Sequence, residues 1–96
     1  MSPEEAQNKA LELWERGLTV ALTHFQERIK ERNVSMPDIQ YLLENGEIRK
    51  APVFDEKHGN WRYVIEGEDC DAAPLALVFA IDEVSGELVL ITVRDT

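Results

Sequence analysis

The sequence changes its hydrophobic period once, at Asn45-Gly46. Before this point apolar residues recur at the three- and four-residue spacing of amphipathic helices, and after it apolar and polar residues alternate as they do in strands. A chain of 96 residues has room for one hydrophobic core. We therefore expect a single α+β domain over residues 1–96, with helices at about 3–45 and antiparallel strands at about 47–94.

Three helices are predicted in the first half. The first begins at the Ser2-Pro3 cap, the second at a Thr23–Gln26 capping box, and the third at Ser35. A short segment rich in β-forming residues lies between the first two helices, and it is not assigned to the sheet.

Four strands are predicted in the second half, and the loops between them are short enough for hairpins. We therefore expect an antiparallel meander with the three helices packed on one face. Leu75 to Ile81 is a run of seven apolar residues, which indicates a central strand. Trp61, like Tyr63, is expected to face the core, and Arg62 the opposite side. The predicted strands cover residues 47–54, 61–66, 75–82 and 87–94.

Charge and composition exclude several function classes. Ten Lys and Arg against nineteen Asp and Glu give a net charge of −9, so we expect no DNA binding, and any RNA site must be local. No apolar run approaches the roughly 20 residues of a membrane span, and the first residues lack a secretory signal, so we expect a cytoplasmic protein with no membrane contact. Cys70 lies between Asp69 and Asp71, whose charge should raise its thiol pKa, so a cysteine enzyme is not expected.

The predicted second helix carries a possible catalytic stripe. His24, Arg28 and Arg32 are spaced one turn apart, and the helix dipole at the N-terminus disfavours the imidazolium form of His24. A base beside fixed cations suits metal-free RNA cleavage, with His24 taking the proton of the 2′-hydroxyl and the arginines stabilising phosphate charge. The alternative is an ordinary solvated helix face, because Glu27 and Glu31 interleave with the arginines, and Arg32 would then brace the third helix.

The strands supply further candidates. Arg62 is a third catalytic candidate for stabilising phosphate charge, while Thr92 and Arg94 share one face of the last strand and could bind substrate with Arg32. The alternative for the last strand is an exposed edge with a terminal arginine. His58 lies in the polar turn "DEKHGN" and is interpreted as a solvated loop residue.

Metal and cofactor motifs are missing from the sequence. There is no CxxC or HExxH motif, the two histidines fall in unrelated elements, and the five glycines are dispersed rather than gathered in a phosphate-binding loop. We therefore predict no metal site and no cofactor, which disfavours a metal-dependent hydrolase.

Several segments, in this order, resemble a family of small bacterial domains, DUF4258: "LTHFQERIKERNVSMPDIQYLLENGEI", "WRYVIEGEDCD", "LALVFAID" and "LVLITV". That family is similar in outline to RelE-like and barnase-like ribonuclease folds, which include messenger-RNA interferase toxins. The resemblance points to His24, Arg28 and Arg32 on the helix and to Arg62 and Thr92 on the sheet. It implies an RNA substrate and an antitoxin partner.

Two hypotheses follow. In the first, the chain is a toxin-like, RelE-related domain that acts as a metal-free endoribonuclease. In the second, it is a noncatalytic protein-interaction module whose exposed strand or helix face binds another protein or a second copy in a homodimer. The acidic composition weighs against the first, because ribonuclease toxins usually present basic surfaces to RNA.

Overall fold

The computed structural model describes residues 1–95, which form three α-helices and five β-strands. The α+β class and the three predicted helices are therefore confirmed. In chain order the elements are α1 (Pro3–Glu15), β1 (Thr19–Ala21), α2 (Thr23–Glu31), α3 (Met36–Asn45), β2 (Val53–Asp55), β3 (Asn60–Glu68), β4 (Pro74–Asp82) and β5 (Glu87–Arg94). None of the helices within this described part is long and apolar enough to cross a membrane.

The prediction of a four-stranded antiparallel sheet is wrong in one respect. The five strands lie in the order β1-β5-β4-β3-β2, and β1 pairs in parallel with β5, so the sheet is mixed. The β-rich segment after α1 supplies the additional strand, with Thr19 opposite Leu88 and Ala21 opposite Leu90. The other neighbouring strands pair antiparallel, as expected.

The first predicted strand is much shorter than expected. Only Val53–Asp55 pairs with β3 as a strand, and Glu47 makes an isolated bridge to Glu66. Pro52 immediately precedes β2 and has no N–H to donate, which accounts for the late start of this edge strand.

The central position predicted for the apolar strand is confirmed. β4 lies between β3 and β5, and every residue from Leu75 to Ile81 is buried. Alternate side chains of the sheet pack with Phe25 of α2, Leu13 of α1 and Leu42 of α3 into the main core. The other sheet face carries a second, smaller apolar cluster formed by Val64, Val78, Ala80, Val89 and Ile91.

Trp61 does not join the core, contrary to prediction. Its side chain is 51% exposed, and its ring packs edge-on against Phe54 of β2 with a centroid separation of 5.1 Å. Tyr63, two residues further, is buried and stacks on Phe79 at 5.5 Å. Trp61 pairs with the three-residue edge strand β2. Its side chain is on the predicted face of β3, but the core does not extend far enough to cover it.

Two of the predicted helix caps are present and one is not. Ser2 and Ser35 each form a capping box with the residue three positions later. α2 instead has Leu22 at its N-cap with no side-chain hydrogen bond, and the Gln26 amide donates to the carbonyl of Ala21. Thr23 is therefore the first residue of α2 rather than its cap.

Gly46 follows the last residue of α3, at the point where the sequence changes its hydrophobic period. Its φ of −76° is one that any residue can adopt. A Cβ atom there would lie 2.6 Å from the carbonyl oxygen of Leu42 and 2.9 Å from the Ile65 side chain, so the close approach of the helix end to β3 requires glycine.

Asp38 ties the start of α3 to the loop between β3 and β4. Its carboxylate accepts hydrogen bonds from the backbone N–H of Ser35 at 2.8 Å and of Cys70 at 3.0 Å. These bonds, first that of Ser35 and then that of Cys70, lower the pKa of Asp38 to about 2. The pKa of the Cys70 thiol is raised, as predicted, but Asp38 is the main cause, and Asp71 and Asp69 contribute less.

Replacing Asp38 with Asn should make stability respond to pH in a defined way. Because the folded pKa lies below the unfolded value of 3.8, the carboxylate stabilises the fold above that value and loses this effect as pH falls towards 2. We expect Asp38→Asn to lower the free energy of unfolding by about 2 kcal/mol at pH 7. The difference from wild type should shrink between about pH 4 and pH 2, measured by urea unfolding.

Glu44→Gln is the control, since Glu44 is an exposed residue of the same helix. It should leave the unfolding free energy nearly unchanged at pH 7. A difference between wild type and Asp38→Asn that stays constant from pH 7 to pH 2 would contradict this account of Asp38.

Candidate active site

α2 continues the path of β1 alongside the last strand. The N–H of Leu22 donates to the carbonyl of Leu90 at 3.1 Å, and ten residues later the guanidinium of Arg32 bonds both carboxylate oxygens of Asp95 at 2.6 and 2.7 Å. Ten residues of a helix rise about 15 Å, and five residues of a strand rise about 17 Å. α2 and the end of β5 therefore have nearly the same length and lie side by side. The stripe predicted on α2 therefore runs beside the end of β5.

His24 is the second residue of α2 and is exposed to solvent. Its neighbour Phe25 is fully buried, which fixes the rotation of the helix and leaves His24 at the margin of the core. The imidazole is therefore accessible to a dissolved ligand. It lies near the helix N-terminus, where several backbone N–H groups have no partner within the helix.

Arg28 lies one turn after His24 and is the stripe's least neutralised cation. Its side chain is 33% exposed, and its one ion pair within residues 1–95 is a distant contact of 3.7 Å from Nη1 to Glu31. Its Nε atom is buried and has no acceptor among the described residues. Because Glu31 neutralises Arg28 only weakly, the exposed part of its guanidinium can pair with an anion from solution.

Arg32 is already paired. Its two-point bond to Asp95 holds the guanidinium against the segment that follows β5. The bracing role considered for Arg32 is therefore directed at the chain end beyond β5 rather than at the third helix. Its Nε, like that of Arg28, is buried without an acceptor in the part of the chain described.

Thr92 and Arg94 lie on the sheet face that carries the smaller apolar cluster. Thr92 is opposite Val78 and Arg94 is opposite Ala76, and directly opposed residues of antiparallel strands share a face. Thr92 is partly buried, and its hydroxyl donates to the neighbouring carbonyl of Val93 at 3.3 Å. Arg94 is exposed.

Arg62 is on the same face but on the far side of β4. It is opposite Ala80, whereas Thr92 is opposite Val78, so the register separates their Cα atoms by about 12 Å. Its guanidinium Nη2 lies 2.7 Å from Oδ2 of Asp55. Arg62 thus lies apart from Thr92, on the other side of β4, and is already bound to a carboxylate.

Asp55 is the centre of a side-chain cluster that sequence reasoning missed. Its Oδ2 lies 2.6 Å from Nδ1 of His58 as well as 2.7 Å from Arg62, and its Oδ1 accepts the N–H of Lys57. The turn between β2 and β3 brings these residues together. His58 is therefore more than a free loop residue, and the Asp-to-His spacing of three within a turn is the signal that could have indicated it.

The family comparison agrees with the sequence resemblance. The family described as "Domain of unknown function (DUF4258)" matches residues 22–95. The chain belongs to this family. No curated protein and no solved structure matches it.

Charge is unevenly distributed in this DUF4258 domain. Residues 23–32 carry three basic and two acidic side chains, a net charge of +1, whereas the whole chain carries −9. α2 is thus less acidic than the rest of the chain, although Asp95 pairs with Arg32 and offsets this +1 charge. Within residues 1–95, no three His, Cys, Asp or Glu side chains are arranged to hold a metal ion.

The Asp55 cluster of the DUF4258 domain makes a titration prediction. The hydrogen bond from His58 is the largest cause that lowers the pKa of Asp55, and the charge of Arg62 is a smaller one. We expect His58→Ala to raise the pKa of Asp55 more than Arg62→Gln does, measured by NMR of the carboxyl carbon.

Asp82 provides the internal control, because its pKa is lowered by Ser85 in the turn between β4 and β5. Neither substitution should move the pKa of Asp82. An Asp55 pKa that stays the same in His58→Ala would show that the histidine contact does not hold in solution.

Proposed function

We propose that this DUF4258 domain cleaves RNA without a metal ion, as a toxin-like, RelE-related endoribonuclease of a toxin–antitoxin pair that acts in the cytoplasm. The observation that carries the proposal is Arg28. Its guanidinium is partly buried, weakly paired and one helical turn from an exposed imidazole. This is the arrangement needed where a phosphate must be held beside a base.

The proposed reaction is a transfer within the RNA chain. His24 takes the proton of a 2′-hydroxyl, and the 2′ oxygen forms a bond to the adjacent phosphorus. The bond from phosphorus to the 5′ oxygen of the next nucleotide breaks, and that oxygen takes a proton from water. The hydroxide that remains takes the proton from His24, which restores the neutral imidazole and the water. The products are a 2′,3′-cyclic phosphate and a 5′-hydroxyl. Arg28 stabilises the charge that develops on the phosphate oxygens.

The other predicted residues have supporting roles in this proposal. Thr92 and Arg94 lie on the sheet face opposite to the one on which Phe25 of α2 packs, and they would contact the sugar-phosphate chain after it crosses the β5 edge from α2. Arg32 keeps α2 against the chain end through Asp95, and so positions the stripe. Arg62, across β4, would bind a flanking phosphate only by exchanging its bond to Asp55 for a bond to RNA.

The acidic composition is compatible with this function if RNA approaches from one side. The −9 charge repels RNA from most of the surface, while the weakly paired Arg28 on α2 attracts a phosphate locally. Binding to RNA would therefore be weak overall and sensitive to position and salt.

The test uses purified protein and a synthetic RNA oligonucleotide in the presence of a chelator. We expect cleavage with 2′,3′-cyclic phosphate ends, identified by mass spectrometry. His24→Ala should reduce the rate by at least about 100-fold because the base is lost. Arg28→Ala should reduce it by about 100- to 1,000-fold because one charge stabiliser is lost.

The chain offers matched controls for both variants. His58→Ala removes the other histidine, and Lys30→Ala removes a cation from the same helix on a different side. Both should cleave at a rate close to wild type. Intact RNA with the wild-type protein, or equal rates for wild type and His24→Ala, would refute the proposal and favour the noncatalytic interaction module.

A further inference from the structure

A polar cavity of about 500 Å³ lies where the core stops, at the start of β3 and the end of β4. Its volume is typical of small-molecule sites, and we call it the β3–β4 cavity. Alternate residues of a strand share a face, and Tyr63 stands opposite Phe79, so Trp61, Tyr63 and Ile81 form its floor. The chain ahead of α1 and the two turns at this end of the sheet form its walls, through Met1, His58, Gly59, Glu83 and Val84.

Tyr63 brings an unpaired hydroxyl to the cavity. The residue is 4% exposed and its ring stacks on Phe79, yet its hydroxyl makes no hydrogen bond to the described residues. The hydroxyl is not among the polar atoms closed off from solvent, so the cavity gives access to it. Burial raises the pKa of Tyr63, and the charges of Glu83 and Glu5 raise it further, which places the hydroxyl on the side of these carboxylates.

Glu83 supplies a free carboxylate beside this hydroxyl. Within residues 1–95 its side chain makes no hydrogen bond and no ion pair, and it lines the cavity. Asp82, the other carboxylate there, already accepts the backbone N–H groups of two residues in the β4–β5 turn. One carboxylate is therefore available to a ligand that enters the cavity.

The cationic groups around the cavity are few and already have acidic neighbours. No Lys or Arg is among the described residues that line it. The imidazole of His58 is held by Asp55 through a contact of 2.6 Å. The amino group of Met1 lies close enough to Glu5 to lower the pKa of that carboxyl, after the larger effect of the Ser2 hydrogen bonds. The charge of Glu83 is thus left for a cation from solution.

Trp61 gives the cavity an aromatic surface. Its side chain is 51% exposed, and the edge-on contact with Phe54 at 5.1 Å fixes the orientation of the indole. Ile81 adds apolar surface beside it, and its 8% exposure shows that the floor lies below the rim. An aromatic ring entering the cavity would remove this surface from water.

We propose that the β3–β4 cavity binds a small arylalkylamine in its protonated form. The ammonium would donate hydrogen bonds to the Glu83 carboxylate and to the Tyr63 oxygen, and the aromatic ring of the ligand would pack on Trp61. An anion of the same shape would be repelled by Glu83, and a neutral one would gain nothing from its charge. No residue of α2 lines this cavity, so the site does not depend on the proposed RNA cleavage.

The test titrates the protein with phenethylamine, which is protonated at pH 7, and follows the indole N–H signals of its two tryptophans by NMR. The Trp61 signal, assigned with Trp61→Phe, should shift with a Kd on the order of 1 mM, and added salt should weaken binding. The Trp14 signal should stay in place, because Trp14 lies outside the cavity. 2-Phenylethanol, which has the same shape without the charge, should bind at least about tenfold more weakly.

Two variants remove the polar contacts one at a time. Glu83→Gln should weaken phenethylamine binding by about tenfold, whereas Glu87→Gln, the same change outside the cavity, should leave it unchanged. Tyr63→Phe keeps the ring and should weaken binding by about fivefold. Its control is Tyr41→Phe, at an exposed tyrosine of α3. His24→Ala should bind the amine as wild type does, whatever its effect on RNA.

Four results would overturn the inference. The first is the lack of any Trp61 shift up to about 10 mM amine, ten times the expected Kd. The second is a Trp14 shift as large as that of Trp61, which would show nonspecific contact. The third is equal affinity for 2-phenylethanol and the amine. The fourth is wild-type affinity in Glu83→Gln or in Tyr63→Phe. Glu83 is exposed, so its replacement tests the site without disturbing the core.

Discussion

β4 is hydrogen-bonded to β3 on one side and to β5 on the other, and its apolar side chains are buried on both faces of the sheet. Hydrophobic burial is the main favourable contribution to folding, and all seven residues from Leu75 to Ile81 take part in it. Every other element is placed relative to it. α3 and α1 cover the face that carries Leu77 and Phe79, and β5 provides the edge against which β1 and α2 lie.

Local patterns predicted the parts of the fold that local physics determines. Capping residues marked the starts of α1 and α3, and the apolar run marked β4 as central. The parallel β1–β5 pair was missed because β1 has only three residues, too few for a clear strand pattern. Its partner is far along the chain, so no hairpin turn in the sequence indicates the pairing. The burial of Trp61 was mispredicted because alternation gives the face of a side chain and not what covers it.

In the candidate site, too, local sequence predicts some features and tertiary contacts determine the others. Helical spacing is enough to place His24, Arg28 and Arg32 on one stripe. It does not show which guanidinium is free, because that depends on acidic residues brought in by other elements. Asp95 binds Arg32 from the end of β5 and Asp55 binds Arg62 from a hairpin, whereas Arg28 has only a 3.7 Å contact with Glu31 of its own helix. Tertiary contacts, rather than residue type, distinguish the three arginines.

The pairing of Thr19 with Leu88 spans most of the chain, and α2 follows directly from that strand. During synthesis the α2 segment leaves the ribosome long before the strand it rests on, and contacts of such high sequence separation form late. His24 and Arg28 can therefore reach their native surroundings only after β5 has been synthesised. A nascent chain, or one truncated before β5, would contain His24 and Arg28 but would lack the strand against which α2 packs.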